Sequence, residues 1–104
     1  MGYCSEIAIA VDPTVFANAP ENVKEAFKEI WETPDREEAE RIVFYHDNIK
    51  WHLGIDCVFV IEKWLSSLDE TEYGLVELGE DLSDTRMEGE YWTYGLDFVR
   101  KIDF

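Results

Sequence analysis

The hydrophobic period changes from two to about 3.6 across Asp12-Pro13, and this switch confines the chain to folds that lay a helix on a sheet. Upstream, residues 3–12 alternate. Ile7, Ile9 and Val11 share one face, while Glu6, Ala8, Ala10 and Asp12 share the other, where the small alanines leave room for another element to approach closely. Downstream, Val23, Phe27, Ile30 and Trp31 recur at i, i+4, i+7 and i+8, which predicts a helix from Pro20 to about Thr33 with one apolar stripe. Pro20 suits the first helical turn, and Pro34 disfavours helical geometry in the residue before it. The stripe must bury itself against the apolar face of a sheet.

The rest of the chain supplies that sheet. Ile42–His46 and Ile49–Trp51 read as strands of a hairpin turning at Asp47-Asn48, with Ile42, Phe44, Ile49 and Trp51 on the core face. Asp56 is a candidate N-cap for a largely buried helix to Leu68, carrying Cys57, Ile61, Trp64, Leu65 and Leu68 inward. Tyr73–Leu78 is a short strand. In the final run Trp92, Tyr94, Leu96, Phe98, Ile102 and Phe104 alternate with more polar residues and predict a last strand, whose buried face meets Phe27, Trp31, Ile61 and Leu65. The order β-α-β-β-α-β-β gives the expected fold: an α+β, ferredoxin-like β-α-β-β-α-β sandwich with an additional C-terminal antiparallel strand. At 104 residues and 46% hydrophobic content, one domain over residues 1–104 has material for its own core without disulfides or metal.

The charge is unusual. With 24 Asp and Glu against 9 Lys and Arg, the net charge of -15 excludes autonomous binding to a phosphate backbone. No apolar stretch is long enough to span a bilayer, and the start lacks a secretory pattern, so a cytoplasmic protein without membrane contact is expected. Cys4 and Cys57 lack the spacing of a disulfide scaffold and are expected as reduced thiols, although a bridge between them stays open.

Chemistry-bearing patterns are weak. His46, Asp47, His52 and Asp56 have metal-ligand types, yet a turn at Asp47-Asn48 would aim the two histidines at opposite faces, and neither metal nor cofactor is expected. Neither cysteine carries a nucleophile signature, no phosphate-binding glycine loop occurs, and the acids of 78–84 miss the calcium-loop register. No catalytic residue is assigned.

Two acidic clusters remain. Between Glu29 and Glu40 six acids face Arg36 alone, and between Asp69 and Glu90 nine acids face Arg86 alone. The candidate partner-binding residues are Glu32, Asp35, Glu37 and Glu38 in the first, and Glu80, Asp81, Asp84, Glu88 and Glu90 in the second. Such clusters either keep the chain soluble or set up a field that imitates a nucleic acid and steers a basic groove toward it.

The segments Ser5-Glu6-Ile7-Ala8-Ile9-Ala10, Ile49-Lys50-Trp51 and Leu78-Gly79-Glu80-Asp81 are similar to those of small phage-encoded proteins. Acidic, cofactor-free chains of this size resemble anti-CRISPR and anti-restriction inhibitors, some of which mimic DNA. The resemblance implies a non-enzymatic inhibitor, monomeric or homodimeric, whose partner is a basic nucleic-acid-binding protein or complex and not nucleic acid itself. Two alternatives stand beside it: an immunity protein or antitoxin neutralising a basic nuclease, and a small enzyme using His46 and His52.

Overall fold

The computed structural model describes residues 4–52, 54–79, 85–98 and 102–103, with residues 97–98 and 102–103 described through their backbone. The elements are β1 (Ser5–Val11), α1 (Pro13–Ala17), α2 (Glu21–Ile30), β2 (Arg36–Glu37), β3 (Ile42–Ile49), α3 (Asp56–Ser66), a 3-10 turn at Glu70–Glu72, β4 (Tyr73–Leu78), β5 (Thr85–Gly89), β6 (Asp97–Phe98) and β7 (Ile102–Asp103). The protein is α+β, built on a five-stranded antiparallel sheet ordered β2-β3-β1-β4-β5, with β6 and β7 forming a separate pair. Each helical connection steps over one strand. From β1 to β2 the chain passes β3, and from β3 to β4 it passes β1.

The alternation in β1 divides the two cores. Ile7, Ile9 and Val11 face the helices, where they meet Val23 and Phe27 of α2, Val58, Ile61, Trp64 and Leu65 of α3, and Phe44 and Leu75 of neighbouring strands. Aromatic rings dominate this core. Phe27 and Phe44 lie 4.5 Å apart, Phe16 meets Phe27 edge-on at 5.3 Å, and Trp64 stands perpendicular to Phe27 at 6.0 Å, within the range where ring geometry adds to area burial. On the reverse face Ala8, Ala10, Val43, Val76 and Leu78 are covered by Tyr94 and Leu96. The close approach expected at the alanines is therefore made by the chain that follows β5. Gly74, opposite Ala10, extends the row of small residues. A Cβ there would lie 2.5 Å from the Tyr91 Cα.

Several local expectations are corrected. Asp12-Pro13 ends β1 and also starts α1, because the Asp12 carboxylate accepts the Thr14 and Val15 N–H groups at 2.8 and 3.4 Å while Pro13 occupies the first turn. Pro20 is the N-cap of α2, which stops at Ile30 because Trp31 is already extended. Asp47-Asn48 makes no hairpin. A primed two-residue turn needs positive φ, which no non-glycine among the described residues adopts. The chain continues as β3 instead, with a bulge: Ile7 pairs with His46 but Ser5 with Ile49, so β3 carries one extra residue. That residue inverts the alternation and returns Ile49 and Trp51 to the core that holds Phe44. The expected face is thus reached by another route. Asp56 is the first residue of α3, whose N-cap is Ile55 with no side-chain cap.

The C-terminal run also departs from expectation. Residues 91–95 are turns, with Thr93 N–H donating to Glu90 O, Gly95 N–H to Trp92 O, and φ of +75° at Gly95. Trp92 is 64% exposed. Tyr94 and Leu96 are buried, but on the face opposite Phe27, Trp31, Ile61 and Leu65. The Phe98 side chain and residue Phe104 lie outside what is described.

Candidate partner-binding surface

The first acidic cluster follows α2 and forms one rim of the sheet. Residues 35–40 are all exposed, as is Glu32. Two carboxylates here have structural duties. Asp35 donates its backbone N–H to Val43 O at 2.8 Å and accepts Tyr45 N–H on its carboxylate at 2.7 Å. The Tyr45 carbonyl in turn accepts the Trp31 indole N–H at 2.8 Å. Beyond β2, which pairs only with Ile42 and Val43, two side chains thus stand in for a neighbouring strand. Glu38 is held by Arg41 at 2.6 Å, a hydrogen bond that keeps its carboxyl below the usual carboxylate range, while Arg41 also donates to the Tyr94 carbonyl at 2.6 Å. Glu32, Glu37 and Glu40 display their carboxylates to water.

The second cluster is dispersed among roles. Glu80, Asp81 and Asp84 lie outside the described residues. Asp69 caps the 3-10 turn, accepting Thr71 N–H at 3.0 Å, and Glu72 returns the contact by accepting Asp69 N–H at 2.7 Å. Glu90 accepts a weak bond from the Thr93 hydroxyl at 3.3 Å.

Glu88 belongs to an ion-pair network that sequence reasoning missed. Arg86 on β5 donates to Glu77 at 3.1 Å, to Glu88 at 3.0 Å, and closely to Glu62 of α3. Glu62 also accepts the Trp51 indole N–H at 2.6 Å. Burial works against the charged guanidinium, but the Glu62 hydrogen bond and the charges of Glu62, Glu77 and Glu88 outweigh it and raise the arginine's proton affinity. The lone cation in that stretch was the available signal; its pairing with Glu77 and the contribution of Glu62 needed the fold. Beside the network an open groove of about 460 Å³ is lined by Trp51, His52, Phe59 and Lys63 among others.

The candidate chemical groups are engaged locally. His46 accepts Asn48 N–H at 3.1 Å and His52 accepts Gly54 N–H at 3.2 Å, both on Nδ1. Among the described residues no three His, Cys, Asp or Glu side chains are grouped to hold a metal. Cys4 and Cys57 are not bridged to each other. Burial, then the charge of Glu29, pushes the Cys57 thiol up, opposite to an activated nucleophile. Among the described residues no helix is long and apolar enough to cross a membrane.

Comparisons with protein-family models, with curated proteins and with solved structures found no match for this chain.

Proposed function

We propose that this chain is a non-enzymatic acidic inhibitor that binds a basic, nucleic-acid-processing defence protein, of the anti-CRISPR or anti-restriction type, and that its fold is a ferredoxin-like split βαβ arrangement. The strand order β2-β3-β1-β4, with each helical connection stepping over one strand, supports the fold reading. In this reading β5, not the C-terminal run, is the added strand.

The observation that carries the functional reading is the rim after α2. There Glu32, Glu37 and Glu40 stand exposed beside Asp35 and Glu38 on a chain of net charge -15. A rim of this kind projects a negative potential that steers a cationic surface toward it and raises the association rate.

The test is DNA cleavage by a panel of purified restriction and CRISPR nucleases titrated with the protein. Inhibition of a panel member, slowed in onset by added salt and by joint replacement of Glu32, Glu37 and Glu40 with Gln, is expected, because screening acts within about 10 Å at 0.1 M salt. Absence of inhibition across the panel, or inhibition indifferent to both changes, overturns the reading.

A further inference from the structure

The two margins of the sheet are finished differently. On the β3 margin Asp35 and Trp31 occupy the outward backbone groups of Tyr45. On the other margin β5 is the last strand in the order. Glu90 N–H donates to Tyr73 O at 3.0 Å, so along the alternating ladder residues 86, 88 and 90 turn their backbone groups toward β4, and Met87 turns its N–H and C=O away from the sheet.

Side chains alternate across this margin as well. Met87, opposite Val76, lies on the face of the second core and is 44% exposed. Arg86 and Glu88 lie on the helix face, where Glu62, Glu77 and Glu88 surround one guanidinium and leave two negative charges in excess. The groove on that face is walled by Phe59, 48% exposed, with Lys63 Nζ already 6.0 Å from its ring centroid. A further long cationic side chain can pair with the carboxylates and lie along that ring.

We propose that the β5 margin is the docking site, taking an extended segment of the partner as a sixth strand. Its residues alternate between basic side chains, which reach Glu62, Glu77 and Glu88, and apolar ones, which meet Met87. This rests on the reading of the protein as an inhibitor of a basic protein. Charge selects the occupant: a second copy would set two faces of excess negative charge against each other on chains of -15, whereas an alternating basic and apolar strand complements both faces.

The probe is a short peptide of alternating lysine and valine, added to the full-length isotope-labelled protein. Controls are an alternating glutamate and valine peptide, and one with the lysines and valines in separate blocks. Saturable binding is expected, with amide shifts over residues 86–89 and slowed exchange of the Met87 N–H, from the alternating basic peptide only. Met87→Pro removes the outward N–H without touching the bonds to β4, and should weaken binding about tenfold, the loss expected for edge hydrogen bonds. Met87→Lys keeps the backbone and should also weaken it, by setting a charge where the valines need an apolar contact.

Equal binding of the block peptide, shifts confined to residues 32–40, or an unaltered affinity of Met87→Lys overturns the assignment. A homodimer lost on Met87→Lys overturns it too, by giving the margin to a second copy. A nuclease inhibited equally by wild type and Met87→Lys removes the docking site but keeps the inhibitor. Peptide binding at β5 with no nuclease inhibited does the reverse.

Discussion

The backbone of Tyr91 crosses Gly74 so closely that a Cβ at residue 74 would stand 2.5 Å from the Tyr91 Cα. Gly74→Ala must therefore displace the turns at 91–95 that place Tyr94 and Leu96 over the second core. A loss on the order of 1–3 kcal/mol is expected from such overpacking, measured by urea unfolding, with a shift in Trp92 fluorescence as the loop moves. An unchanged midpoint would mean that the loop does not rest on the sheet.

Asp35 supplies the acceptor for the outward N–H of Tyr45. Asp35→Ala should cost about 1 kcal/mol, the usual worth of such a bond, and should raise self-association through the uncovered strand. Asp35→Asn keeps an acceptor oxygen and should remain close to wild type. Thermal unfolding and light scattering of both variants separate the acceptor from the charge.

Removal of Arg86 strands three carboxylates together. Arg86→Met should destabilise by roughly 1–3 kcal/mol at low salt, with partial recovery at high salt. Denaturant midpoints at low and high salt check the sign.

Tyr45, Tyr73 and Tyr94 all have phenol pKa values raised by burial, with further contributions from nearby carboxylates, Glu6 foremost for Tyr45 and Glu88 for Tyr73. The folded state thus keeps protons that the unfolded chain releases above about pH 10. Stability should be untouched by these groups below that pH and fall as pH rises above it. The phenolate absorbance of these three should appear late and together with unfolding. Tyr45→Phe should lessen the alkaline loss, and a titration in which all tyrosines ionise normally in the folded protein would contradict the burial.

Much of this architecture was legible because strong periodicity reports burial on one side of an element. The alternation of β1, the stripe of α2 and the span Tyr73–Leu78 all correspond to observed elements. Ile49 and Trp51 were placed on the correct face through a hairpin that the chain replaces with a bulge, since both devices shift the alternation by one residue. β5 was missed because Arg86 and Glu88 make its helix-side face polar. The aromatic run after it misled for the converse reason: turns can also bury every second side chain, and Tyr94 and Leu96 are delivered that way. The acidic clusters were visible as charge. Which carboxylates are bound to Tyr45, Arg41 or Arg86, and which face water, depends on neighbours from remote segments.

The bonding of Trp31 and Asp35 to Tyr45 also limits what this protein can build. A molecule able to extend its sheet on both sides is a monomer in the polymer chemist's sense and can propagate into fibres. With the Tyr45 stretch of one side capped by its own side chains and only the two-residue β2 beyond it, this one is a chain terminator. Strand addition then ends after a single event, in a pair of defined stoichiometry, so a highly concentrated preparation can stay free of filaments.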